Sequence, residues 1–175
     1  MPTHQSTQPA GQQSPLYTEE ERRRRDASPW TLVQGILAPV QFLAFIISLA
    51  LVLRFLTTGE GLEAATISVV VKTLLLYTIM ITGSIWEKEV FGVWLFARPF
   101  FWEDVFSFAV LALHTAYLIA LGTDWLDARG LMWLALAAYF TYIVNAGQFL
   151  LKLRAARLQQ AATPNIADES LVPCK

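Results

Sequence analysis

The stretch TLVQGILAPVQFLAFIISLALVL, Thr31 to Leu53, runs for 23 residues without a single charge. About 20 apolar residues are enough to cross the hydrocarbon core of a bilayer as a helix. Three more stretches of the same kind follow: Ala64 to Trp86 with one charge, Lys72, then Val105 to Thr123 and Leu131 to Leu151 with none. A soluble core helix rarely stays apolar on every face for six turns, so four such runs predict a polytopic membrane protein and exclude a soluble enzyme. The composition agrees: 175 residues, 55% of them apolar and 15% charged, with polar residues gathered at both ends. The expected fold is an all-α membrane protein of four transmembrane helices in an antiparallel bundle, with spans at about 31-54, 64-87, 103-123 and 131-152.

Outward from these spans the chain becomes polar. Residues 1-16, rich in Gln, Ser, Thr and Pro, read as a disordered tail without the apolar core of a signal peptide. Thr18-Glu19-Glu20-Glu21 has the spacing of a capping box, and Glu19/Arg23, Glu20/Arg24 and Glu21/Arg25 stand at i,i+4, which predicts a short helix before the first span. Pro29 and Trp30 mark the turn into the bilayer. The transmembrane domain is expected over 17-157, and 158-175 reads as a second polar tail.

Basic residues set the expected orientation. Arg22 to Arg25, Lys88, Arg98, Lys152, Arg154 and Arg157 fall on one side of the membrane, against Arg54 and Arg129 on the other, so both termini are predicted to be cytoplasmic. Only the loop from Glu87 to Trp102, on the cytoplasmic side, is large enough to hold chemistry. Together with Trp86 it carries Phe91, Trp94, Phe96, Phe100, Phe101 and Trp102, an excess over an ordinary interfacial belt that suggests a platform for a flat apolar ligand.

Counting removes several function classes. The sole cysteine, Cys174, allows no disulfide framework or thiolate cluster, and His4 with His114 do not supply two axial ligands to a membrane haem. No nucleotide-binding or zinc-protease motif is present. The basic run Arg22 to Arg25 follows three glutamates, which makes it a mixed-charge helix face and not a nucleic-acid patch.

Ionisable groups at bilayer depth point to function more often than those at the surface. Lys72 and His114 each lie roughly 12 to 13 Å from the outer ends of their spans, so they can share one layer. One reading is a polar cavity in which His114 carries protons or ligates a metal; the other has Lys72 snorkelling and His114 bonded to a backbone carbonyl. The second candidate is the acidic group Glu87, Glu89, Glu103 and Asp104 at the cytoplasmic mouth. Glu103, Ser107 and His114 stand on one face of the third span, eleven residues being about three turns. Ordinary interfacial charge is the competing explanation, with Lys88 and Arg98 as surface partners. Gln34, Gln41, Tyr77, Asn145 and Gln148 are read first as interhelical hydrogen-bonding groups, and a water-holding role is the weaker alternative.

WTLVQG (Trp30 to Gly35), ATISVVVKTLLLYTIM (Ala65 to Met80), IWEK (Ile85 to Lys88), FFWEDVFSF (Phe100 to Phe108) and LHTAYL (Leu113 to Leu118) together resemble the 3-vinyl bacteriochlorophyllide hydratases of phototrophic bacteria, over roughly Tyr17 to Arg157. The resemblance implies hydration of the C3 vinyl group of a chlorophyllide or bacteriochlorophyllide to a 1-hydroxyethyl group. Such a reaction needs a proton donor, a positioned water and a shielded pocket; no cofactor is expected, because the substrate carries its own Mg²⁺. A carboxyl group among apolar rings is the expected acid, with Glu103 first, Glu87 second, then Asp104 and finally His114. Trp86, Phe101 and Trp102 are the expected platform, with Lys88, Arg98 and the deeper Lys72 as substrate-binding cations. His114 is also a possible axial ligand to the substrate's Mg²⁺. The expected partners are the tetrapyrrole, the lipid bilayer and neighbouring pigment-biosynthesis enzymes, with no nucleic acid. Two readings without this chemistry are a pigment-binding or assembly subunit of the photosynthetic apparatus and, less well matched, a proton-coupled transporter using Lys72 and His114.

Overall fold

The computed structural model describes residues 16–162, all of whose regular structure is helical. The predicted N-terminal tail, but for Leu16, and the last thirteen residues of the chain lie outside them. Five α-helices follow one another: α1 Glu19–Ala27, α2 Pro29–Thr58, α3 Leu62–Phe91, α4 Phe101–Gly122 and α5 Ala128–Ala162, with a single 3₁₀ turn, Arg98–Phe100, leading into α4.

Local sequence accounts for the boundaries. Thr18 and Glu21 close the predicted capping box: Thr18 Oγ1 accepts from the Glu21 amide at 3.3 Å and Glu21 Oε2 accepts from the Thr18 amide at 2.7 Å. Ser28 caps α2 with Pro29 at its first position. Gly59 and Gly92 end α2 and α3 in the left-handed conformation, at φ 79° and 81°, where a Cβ would be unfavourable. These caps lie beyond the apolar runs, so each helix is longer than the span read from hydropathy alone. The largest difference is at α5, which continues to Ala162, five residues into the predicted tail. The loop between the second and third spans shrinks correspondingly to Gly92 through Ala97 and the 3₁₀ turn.

Four of the helices are long and apolar enough to cross a membrane. At about 1.5 Å per residue a 30-residue helix is about 45 Å long, well over a hydrocarbon thickness of about 30 Å, so polar groups at its ends stand near or beyond the apolar layer. Leu32, Ile81, Phe140 and other large apolar side chains face outward, as a lipid solvent requires. Inside, α2 packs most extensively on α3, and α4 on α5. Ala65, Ala120, Ala135 and Ala138 are fully buried and allow close helix approach.

Hydrogen bonds then cross-link the helices. Ser48 on α2 meets Ser68 on α3 at 2.7 Å and the Tyr139 hydroxyl on α5 at 2.6 Å. Gln34 donates to Thr82, Tyr77 pairs with Thr115 and Asn145 donates to Ser107, each at 2.8 Å.

Candidate active site

The end of α3, the start of α4 and the segment between them bring together Glu87, Glu103 and Asp104, whose exposure is only 4 to 5%. The backbone of the connecting segment grips two of them. Asp104 Oδ2 accepts from the Phe96 amide at 2.7 Å, and Glu87 Oε2 accepts from the Ala97 amide at 3.2 Å. Phe96 stands at φ 61°, a left-handed conformation that is uncommon for an aromatic residue and that turns its amide toward Asp104. The neighbouring amides of one segment thus hold the Glu87 and Asp104 carboxyls side by side. Two carboxylates have no donor between them, so a direct contact within this pair requires one shared proton.

Glu103, one residue away, has a different partner. Lys152, reaching in from α5, forms an ion pair with Glu103 Oε2 at 2.6 Å and also donates to the Pro99 carbonyl. Its ammonium lies 5.2 Å from the Phe100 ring. A carboxylate engaged in this way is an acceptor. Lys152 enters the sequence reading only as a cytoplasmic charge; its partner is set by the α4–α5 packing, which no local pattern records.

The aromatic residues of the mouth separate into two groups. Tyr17, Trp86, Phe91, Phe100 and Phe149 pack together inside: Tyr17 stacks on Phe91 at 5.7 Å, and Phe100 stacks on Phe149 at 5.9 Å. Trp86 donates its indole N–H to Thr31 at 2.9 Å, and the Arg25 guanidinium covers the Tyr17 ring at 4.8 Å. Burial pushes the Tyr17 phenol up in pKa, against the pull of Arg25. The second group faces outward: Trp102 is 67% exposed and Trp94 60%, with Phe96 and Phe101 also exposed. Phe96 stacks on Phe108 at 5.6 Å and tilts against Phe101 at 5.6 Å. Phe101 and Trp102 therefore join the exposed surface, while Trp86 belongs to the scaffold beneath it. Lys88 donates to the Gly92 carbonyl at 2.8 Å and lies 5.9 Å from Trp94. Arg98 is exposed and has no ion-pair partner among the described residues.

Lys72 and His114 are fully buried deeper in the bundle. Tyr139 joins them in one layer: its ring lies 5.9 Å from that of His114 and 5.5 Å from the Lys72 ammonium, which also sits 4.0 Å from the Tyr142 ring. His114 Nδ1 contacts the Val110 carbonyl at 2.8 Å, so Nδ1 carries the hydrogen, and Nε2 has no protein partner among the described residues. Eleven residues along α4, roughly 16 Å, separate His114 from Glu103. The face shared by Glu103, Ser107 and His114 is buried, as their spacing predicts. Among the described residues no three His, Cys, Asp or Glu side chains converge as a metal site.

The family described as 2-vinyl bacteriochlorophyllide hydratase matches residues 17–155. A relative bearing that name from Rhodobacter capsulatus is 73% identical over 147 residues, covering 84% of this chain and 85% of the relative. One of the same name from Cereibacter sphaeroides is 67% identical over 159 residues, covering 90% and 98%. No solved structure matches.

Proposed function

The chain belongs to the 2-vinyl bacteriochlorophyllide hydratase family, and on that premise we propose that its buried carboxyl pair drives the addition of water to the substrate's vinyl group. The chain is a hydro-lyase of bacteriochlorophyll biosynthesis, converting a vinyl substituent into a 1-hydroxyethyl one. The observation that supports the site is the Glu87–Asp104 pair, clamped by the Phe96 and Ala97 amides beside an exposed aromatic surface.

Hydration of a vinyl group conjugated to a macrocycle begins with a proton delivered to the terminal carbon, which leaves a cation on the carbon attached to the ring. The Glu87–Asp104 pair holds a proton in a water-poor place and is the donor. Water then forms its C–O bond to the cationic carbon and gives up a proton to Glu103, the carboxylate held by Lys152. One proton enters the substrate from the pair, one leaves it to Glu103, and the net addition is one water; transfer of that proton from Glu103 back to the neighbouring pair restores the starting state. Glu103 thus takes the accepting role and the pair takes the acidic one.

The planar substrate lies on Trp94, Phe96, Phe101 and Trp102, with its propionate toward Arg98 or Lys88. Direct hydration of this kind draws on no cofactor, and the Mg²⁺ belongs to the substrate. The catalytic mouth faces the cytoplasm of a bacterial inner membrane. The four long helices run antiparallel with both termini inside, which the nine-to-two distribution of basic residues supports. A reporter fused after Arg157 is active only in the cytoplasm on this reading; activity of a periplasmic reporter there would reverse the topology.

Turnover in D₂O tests the reaction, placing one deuterium on the new methyl group, while ¹⁸O-labelled water labels the hydroxyl. Oxygen derived from O₂ would replace hydration with an oxygenase reaction.

A further inference from the structure

Between the catalytic mouth and the Lys72–His114 layer, buried polar atoms on all four long helices have no protein partner among the described residues. They are both amide atoms of Gln41, Lys72 Nζ, His114 Nε2, Asn145 Oδ1 and Gln148 Oε1. Gln41, Lys72 and His114 are almost completely enclosed, at 0 to 2% exposure. Unpaired polar atoms in such surroundings are costly, and buried polar groups in folded proteins are nearly all hydrogen-bonded.

The arrangement is a row and not a scatter. On α5, Asn145, Gln148 and Lys152 follow one another at i, i+3 and i+7, one helix face. On α4, Glu103, Ser107 and His114 share the opposing buried face, and Asn145 crosses to Ser107 at 2.8 Å. The row therefore begins at the Glu103–Lys152 ion pair and ends beneath Lys72, Tyr139 and Tyr142. Both donors and acceptors occur along it. Lys72 Nζ and Gln41 Nε2 donate; His114 Nε2, Gln41 Oε1, Asn145 Oδ1 and Gln148 Oε1 accept. An anion would need donors alone and a cation acceptors alone. Water satisfies both.

We infer that this interior row binds a file of water molecules and supplies the one that adds to the substrate, an inference that rests on the hydratase reading for its second half only. The carboxyls are already nearly closed to solvent, and a planar pigment on the exposed aromatic surface covers them from outside. Water stored on the bundle side, loaded through the mouth between turnovers, then reaches the cation next to Glu103 while bulk water does not.

Radiolytic hydroxyl-radical footprinting of the wild-type chain in lipid nanodiscs tests the water file without reference to activity. Tyr139 and His114 are expected to be oxidised despite their burial, because radicals form on bound water. Met132, fully buried on α5 in apolar surroundings about 10 Å from Tyr139 along the helix, is expected to stay unmodified. Oxidation of neither residue, or of Met132 equally, would overturn the inference. For delivery, Asn145→Leu and Gln148→Leu should each lower kcat at least tenfold with KM for the vinyl substrate within twofold. Unchanged kcat, or a loss expressed mainly in KM, would overturn the delivery role even where the footprint supports the file. A wild-type chain that makes no hydroxyethyl product would remove the hydratase reading and leave the footprint to judge the water file by itself.

Discussion

The two polar regions of the bundle solve the burial of charge in opposite ways. At the mouth, Asp104, Glu87 and Glu103 each have an identified partner: the Phe96 amide, the Ala97 amide and Lys152. In the middle, the Lys72 ammonium lies against the faces of tyrosine rings, and neither it nor His114 Nε2 has a hydrogen-bond partner among the described residues. A fully partnered cluster holds a fixed geometry, which is what a proton donor needs. Groups left open by the protein accept a small, exchangeable guest, which is what a store of water needs. On the proposed roles the mouth serves position and the middle occupancy, so substitutions in the two regions should differ in kind.

The sharpest way to break this contrast is to remove the shared proton. Glu87→Gln and Asp104→Asn preserve shape but disable the acid, and each should reduce turnover by about 10² to 10⁴ while pigment binding survives. Because the two carboxyls act as a unit, the double variant should be little slower than the worse single one. Single-turnover rates on the three variants measure this. Near-native turnover by either single variant would take the acid role away from the pair.

A smaller effect is expected at Lys152. Lys152→Met leaves Glu103 in place without its cation, and turnover should fall about ten- to a hundredfold, within the range of a single acid–base contribution. Lys152→Arg, which keeps the charge-assisted contact, should recover most of it. Recovery by arginine separates this role from simple packing at the end of α5. If Lys152→Met instead matched the loss in Glu87→Gln, the division of labour between Glu103 and the pair would fail.

Much of this architecture is legible in local sequence. The four apolar runs identify the spans, Thr18 to Glu21 writes out its own cap, and the spacing of Glu103, Ser107 and His114 anticipates a buried face. Helix lengths are less legible, because Gly59 and Gly92 terminate α2 and α3 beyond the point where hydropathy fades. The partners of the carboxyls are not legible at all. The Phe96 and Ala97 amides carry no side-chain signature, and Lys152 meets Glu103 across 49 positions of sequence. The division of the aromatics is equally tertiary: Trp86 and Trp102 both look like interfacial tryptophans, but only one has Thr31 within reach of its N–H.

The middle region should respond in stability. Replacing a buried charge that lacks a carboxylate partner by an apolar side chain of similar length is often neutral or stabilising, so Lys72→Met should raise stability by about 1 kcal/mol. Denaturation in mixed micelles measures it. A clear destabilisation would mean that the contacts to Tyr139 and Tyr142 outweigh the cost of enclosing the amine, and that the middle is as tightly determined as the mouth.

The smallest effect belongs to Phe96, where the mouth's geometry and its binding surface meet in one residue. Its backbone amide holds Asp104, and its ring stacks on Phe108 at the exposed surface. Phe96→Gly keeps the amide and suits a φ of 61°, relieving strain of roughly 1 kcal/mol while removing the ring contacts. These effects oppose each other, so stability should change little. Loss of one face of the pigment platform should raise KM several-fold with kcat within twofold. Steady-state kinetics on the vinyl substrate read that split directly. A fall in kcat with unchanged KM would show that the ring is needed to keep the Asp104 clamp in place, and the boundary between binding surface and proton donor would then run through the Phe96–Phe108 stack instead of beside it.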